Sequence, residues 1–394
     1  MALPRLPLTA ALALALAATA CSAAADGPSA ADGAAPTSAS AGPSTAPSPS
    51  PSGSSSPGPS SAGPSAAPQV LASGLEAPWG LAFLPGGDAL VGERDTARVL
   101  RLSADGGTPT EVARLTQTRP LGEGGLLGLA VSPTYARDAL VYAYLTGQDD
   151  NRIVRFRLSD LQAGGDPEPI VTGIPKGAIH NGGRLAFGPD GSLYAGTGDT
   201  GDSDLAHDPG SLGGKVLRMT PQGRPVAGAS SLVFSDGHRN VQGLAFDDAG
   251  RLWASEFGQN RYDEINQVDE GDDGGWPDVE GPGDGGGRFA APRVSWTTAE
   301  ASPSGIAVAG GALYAAALRG ERLWRVPLDG RGGTGQPEPL LQGEYGRLRA
   351  VAAAPDGTLW LLTSNRDGRG DPADTDDRVL RLTLPAARGG AAKT

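Results

Sequence analysis

The chain has 394 residues, of which 61 are Gly and 34 Pro; aromatics make up 5% and the formal net charge is −12. Gly and Pro at this density exclude a long-helix or coiled-coil protein, because both break helix interiors. The acidic excess argues against a nucleic-acid partner, which requires a basic face. A single Cys permits no intramolecular disulfide, and three His leave little for a His/Cys zinc site.

Residues 1–20 read as an export signal. Arg5 is their only charge, and the apolar run from Ala10 to Ala20 is too short to span a bilayer. Cys21 follows Ala18-Thr19-Ala20, small residues of the kind that precede a lipoprotein cleavage site. The expectation is an exported, extracytoplasmic protein tethered to a membrane through a lipidated Cys21. Residues 21–68 then form a linker: 29 of the 43 residues in 26–68 are Ser, Pro or Gly, and none is aromatic, Lys or Arg. Such a segment has too little apolar surface to offset chain entropy and acts as a spacer. The folded domain is expected over 69–388, with 389–394 as a tail.

Within that domain one phrase returns. Gly80-Leu81-Ala82-Phe83 reappears as Gly128-Leu129-Ala130-Val131, Arg184-Leu185-Ala186-Phe187, Gly243-Leu244-Ala245-Phe246 and Gly305-Ile306-Ala307-Val308, and more loosely as Ala350-Val351-Ala352-Ala353. Many copies lead into a turn such as Pro85-Gly86-Gly87 or Pro189-Asp190-Gly191, in which Pro presets one dihedral and Gly supplies the positive one. A short apolar strand follows, then one of alternating polarity such as Arg98-Val99-Leu100-Arg101-Leu102. Six such units predict an all-β fold, a six-bladed β-propeller. Val70-Leu71-Ala72 is placed to complete the last blade and close the ring, which removes an exposed edge. Three Gly- and Asp-rich insertions, 198–213, 256–292 and 364–377, interrupt the repeat and are where chemistry is expected.

Five strings stand out in order. They are Gly122-Glu123-Gly124-Gly125; His180-Asn181-Gly182-Gly183-Arg184 with Gly198-Asp199-Thr200-Gly201; Gly237-His238-Arg239-Asn240-Val241-Gln242; Ser255-Glu256-Phe257-Gly258-Gln259 with Gly275-Trp276-Pro277; and Arg319 with Arg347-Leu348-Arg349. Alternation along a strand puts Arg347 and Arg349 on one face, where guanidinium forks suit carboxylates. No glycine-rich phosphate fingerprint supports a nicotinamide or flavin site, and there is no haem-attachment motif.

From about Gly74 to Leu384 this ordered set resembles the soluble glucose/sorbosone and aldose sugar dehydrogenases, which use pyrroloquinoline quinone (PQQ) and calcium. The resemblance implies that His180 is the base that takes the hydroxyl proton of a sugar and that Asp199 orients it. It implies that Arg239 and Asn240 contact the quinone oxygens, with Arg239 stabilising the charge that develops there. Glu123, Arg319, Arg347 and Arg349 become cofactor-binding positions, while His238 reads as structural. The backbone carbonyls of Gly258 and Gln259 become calcium ligands, and Asp263 and Glu264 fasten that loop.

Three departures accompany the resemblance. Glu123 stands where the family commonly has Gln, Gln259 replaces a Pro, and Ile179 occupies the place of an acidic sugar-contacting residue, which speaks against glucose itself. The electron acceptor has no signature in the chain. Two other readings share the architecture: a calcium-dependent lactonase, which leaves the arginines unexplained, and a non-catalytic carbohydrate- or protein-binding propeller.

Overall fold

The computed structural model describes residues 67–159 and 162–385. The expected signal segment, Cys21, nearly all of the linker and the tail lie outside them. Six four-stranded antiparallel sheets form the blades of a propeller, spanning residues 78–114, 126–174, 185–235, 241–297, 303–340 and 348–382. The sixth blade takes its outermost strand, Gln69–Ala72, from the other end of the domain, with Gln69 opposite Arg381 and Val70 opposite Leu380.

The recurring phrase is the innermost strand of each blade, for example Pro78–Phe83, Leu126–Val131 and Val241–Phe246. These strands pack on their neighbours around the axis. Close approach explains the glycine in the phrase: a Cβ on Gly128 would sit 2.2 Å from the Gly183 carbonyl of the next blade. In the third blade Arg184 takes this position, and its guanidinium lies 4.2 Å from the centre of the Trp79 ring.

The apolar core sits between blades. Trp253 of the fourth packs with Leu313 and Ala315 of the fifth, and Trp360 of the sixth with Leu81 and Val91 of the first. Truncating either fully buried indole to Ala would cost about 3–5 kcal/mol.

Because every strand pairing within a blade is antiparallel, chain direction alternates and connections sort by parity. The turns from first to second strand, which carry Pro85-Gly86 and Pro189-Asp190-Gly191, lie on one face. Connections from second to third strand, and from one blade to the next, lie on the opposite face. Insertions 198–213 and 364–377 are of the second kind. Insertion 256–292 needs correction: it contains the strand Tyr262–Val268, the third of its blade, and the true excursion is 269–293. The sequence hid this strand because Asp263-Glu264-Ile265-Asn266 lacks the arginine-framed alternation of other third strands. The excursion begins at the far face but runs up beside the third blade, bridging Asp273 to Asp236 in parallel, and delivers Trp276 and Glu280 to the opposite face.

Candidate active site

On the face of the interblade connections, two adjacent cavities open. The first, about 430 Å³, is lined by Ile179, His180, Asp199, Arg239, Trp276 and Glu280 among others. His180 and Asp199 come from different connections of the third blade, yet His180 Nδ1 lies 2.6 Å from Asp199 Oδ1. The second carboxylate oxygen accepts from Trp276 Nε1 at 3.0 Å, and Oδ1 also accepts from the Gly201 amide at 2.8 Å. Burial alone would raise the Asp199 carboxyl, but the bonds from His180, Gly201 and Trp276 outweigh it and hold the pKa below the usual carboxylate value. Asp199 is therefore an anion that accepts the Nδ1 proton, leaving His180 Nε2 as the basic nitrogen.

Arg239 projects into the same cavity. Its Nη1 donates to the carbonyls of Phe257 and Gly258 at 3.1 and 2.7 Å, and its guanidinium lies 5.4 Å from the centre of the Trp276 ring. Burial pulls its pKa below the ordinary value, partly offset by the Asp199 and Glu256 carboxylates. The neighbouring Asn240 is buried, and its Oδ1 accepts from the Gly182 amide at 3.0 Å. His238 is enclosed between Ser235 Oγ and Glu256 Oε2, at 2.5 and 2.8 Å, a structural position as expected.

The loop after Phe257 is organised by Glu280. One of its oxygens accepts from the amides of Gln259, Asn260, Arg261 and Tyr262 at 2.8–3.2 Å. Asp263 closes the same loop by accepting from the Gly258 amide at 3.0 Å, and Glu264 Oε1 accepts from the Gly281 amide at 2.7 Å. Both therefore fasten backbone.

The second cavity, about 200 Å³, is lined by Trp79, Arg94, Glu123, Gln242, Arg349, Asp367 and Arg369 among others. Arg347 and Arg349 converge as strand alternation predicts: Arg347 Nη2 and Arg349 Nη2 lie 2.9 and 3.1 Å from Asp367 Oδ2. Arg349 lines the cavity, whereas Arg347 supports it from the side. Burial lowers Arg349 to about 10 despite Asp367, which still leaves it protonated at neutral pH. Arg184, buried against the Trp79 ring, is lowered by burial and by Arg349 to about 9.

Arg319 does not join this group. It is exposed at the end of a blade-five hairpin, and its neighbour Leu318 points inward to line the cavity. The inward position of that short turn is held by Leu318, one residue before Arg319. Glu123 lies between the cavities, its two oxygens on the His180 amide and on Arg369.

Several buried donors here have no protein partner: Arg349 Nε, Arg239 Nε, Asn240 Nδ2 and Arg184 Nη2. A donor-rich, cationic surround with unpaired donors fits a ligand rich in anionic and carbonyl oxygens. Among the described residues no cluster of three or more His, Cys, Asp or Glu could hold a metal. Oxygen donors for a hard cation would come from main-chain carbonyls, and that of Gly258 already accepts from Arg239.

A propeller face that holds a carboxylate-oriented histidine beside an arginine-walled cavity has the makings of an enzyme site that binds an anionic ligand. The chain belongs to the glucose/sorbosone dehydrogenase family, whose model matches residues 75–376. It is similar to the PQQ-bound form of an aldose sugar dehydrogenase from Streptomyces coelicolor, with 55% identity, a TM-score of 0.77, and coverage of 82% of this chain and 99% of that one. An aldose sugar dehydrogenase from Escherichia coli is 28% identical over 75% of this chain and 89% of its own. Quinoprotein glucose dehydrogenase B from Acinetobacter calcoaceticus is 30% identical over 52% of this chain and 51% of its own.

Asp367, Gln242, Glu280, Trp79 and Arg369 were not reached by sequence reasoning. Gln242 ends a quoted string but was given no role, Trp79 directly precedes the first copy of the repeated phrase, and the other three come from insertions without periodicity. The signal that points to Asp367 is electrostatic: two arginines on one strand face require a counter-charge.

Proposed function

We propose that the protein oxidises an aldose or related sugar at C1 with PQQ as cofactor and calcium as the accompanying ion. The observation that carries the reading is the His180–Asp199–Trp276 arrangement opening on the first cavity, beside a second cavity lined by Arg349, whose Nε is buried without a protein partner. The 55% identity to a PQQ-bound relative supports it.

In this reading the sugar enters the first cavity and His180 Nε2 accepts the C1 hydroxyl proton. Asp199 fixes the tautomer and stabilises the imidazolium that results. Trp276 and Gly201 keep Asp199 from rotating. Arg349, Arg239 and Asn240 would hold PQQ, which supplies, when bound, the acceptor for the hydride. Arg239, gripped by two carbonyls, sets a fixed positive charge where negative charge grows. Gly258 and Gln259 would offer calcium their carbonyl oxygens, on a loop that Glu280 holds in shape. The expected product is a lactone, or an acid from a free aldehyde. Ile179 offers one wall of the cavity no hydrogen bond, which favours substrates other than glucose.

The test is titration of the purified protein with PQQ and calcium, followed by absorption, and then dye-linked oxidation of a panel of aldoses. Saturable binding with turnover is expected. Absence of binding, or binding with no oxidation of any aldose, overturns the reading.

A further inference from the structure

We propose that Glu123, clamped by Arg369, is a positioning residue for His180 and does not hold the cofactor. The inference rests on the reading of His180 as the base. It starts from the backbone: His180 has φ +51°, a left-handed conformation that a non-glycine residue keeps only where its surroundings over-determine it.

Both sides of this residue are held. On the carbonyl side, the Thr200 amide donates to His180 O at 3.2 Å, and Gly198 leaves the room, since a Cβ there would sit 1.9 Å from that oxygen. On the amide side the acceptor is a side chain, Glu123 Oε2, at 2.9 Å. The Glu123 amide in turn donates to Ala178 O at 2.9 Å, so the two loops are locked reciprocally. The other carboxylate oxygen, Oε1, is 2.7 Å from Arg369 Nη2, which arrives from the sixth-blade insertion across the first blade. Each oxygen thus has a protein partner, and one of them is the base's own backbone. The His180 amide and Arg369 also hold the Glu123 carboxyl below its usual value against the opposing effect of burial, in keeping with an ionised clamp.

A carboxylate can accept on both sides, whereas Gln accepts through one oxygen only. With Arg369 present, Gln at 123 either turns its NH₂ towards a guanidinium or gives up the His180 amide. Without Arg369 that conflict disappears. Position 123 is therefore coupled to position 369 through His180, and the sign of the coupling is fixed by the chemistry.

The experiment compares wild type, Glu123→Gln, Arg369→Met and the double variant. It reads amide hydrogen exchange of the 178–183 segment with and without PQQ, PQQ affinity by absorption, and kcat and KM on the best aldose. Glu123→Gln should speed exchange and lower kcat about tenfold, the scale of one charge-assisted hydrogen bond. KM and PQQ affinity should both stay within about twofold, a change of at most ~0.4 kcal/mol. In the Arg369→Met background the same substitution should have little further effect. Unchanged exchange in Glu123→Gln overturns the inference whatever PQQ does. So does multiplication of the two single effects in the double variant, or a loss of PQQ affinity matching the loss of kcat. If wild type fails to bind PQQ, the functional reading falls, while the exchange data still test the clamp.

Discussion

The two cavities are built on the same face and from the same kinds of connection, but they are finished differently. Around His180 the polar groups have been tied down: Asp199 has three donors, Glu280 four, and Arg239 Nη1 two carbonyls. Around Arg349 three guanidiniums line the wall against two carboxylates, and the Arg349 Nε is left without a partner. The first cavity is held mainly by the protein's own hydrogen bonds, although Arg239 Nε is left without a partner there too; the second carries a cationic excess on its wall. A reaction centre benefits from the first property, because fixed dipoles cost no reorganisation as the reaction proceeds. An anion site benefits from the second, because unpaired buried donors are expensive until occupied.

This contrast can be broken at its strongest point by His180→Ala. Turnover of the PQQ-loaded protein should fall about a thousandfold, the usual range for removal of a general base, while an absorption titration shows PQQ affinity nearly unchanged. An equal loss of affinity would merge the two cavities into one function. Arg349→Gln should do the converse. PQQ dissociation, followed by the same titration, should weaken about 30-fold, corresponding to about 2 kcal/mol for an unpaired buried charge contact, with a smaller change in kcat at saturation.

The third expected effect concerns the frame of the first cavity and is one of stability. Burial, followed by repulsion from Glu256, pushes the Glu264 carboxyl from 4.5 up to about 7. Between those values the unfolded chain has lost a proton that the folded chain keeps, so stability falls as pH rises through this window and then levels off. Glu264→Gln should remove that fall, on the order of 1–3 kcal/mol. Thermal melts of both proteins from pH 4 to 8 should diverge across the window and run parallel above it. Asp199, Glu123 and Asp367, all held below their usual values, act in the opposite sense at acid pH. The difference between the two melting series isolates Glu264 from them.

The ring was legible because its signal is repeated. The glycine of the Gly-Leu-Ala-Phe phrase recurs in four of the six copies, where the inner strands leave no room for a Cβ, and the Pro-Gly turns punctuate the first hairpin of several blades. The strand Tyr262–Val268 was not legible, because its less buried positions hold Tyr262, Glu264 and Gln267 instead of the usual arginines and Asp263 is buried among them. The pairing of His180 with Asp199 was expected from the family resemblance, and two connections of the third blade bring the two side chains together. Asp367 and Glu280 could not: each comes from an insertion whose path through space no periodicity records. Arg319 shows a further limit, since in a four-residue turn a slip of one position exchanges an inward side chain for an outward one.

The closure of the ring has a consequence for attachment. By parity, the strand Gln69–Ala72 begins at the face of tight turns, and its partner Val379–Leu382 ends there, with Gln69 beside Arg381. Both ends of the propeller thus leave from neighbouring strands at the pole opposite the two cavities. The chain therefore enters and leaves the propeller on the face that does not carry the cavities. A load applied through both ends meets one antiparallel pair in the peeling direction, breaking its ladder one hydrogen bond at a time.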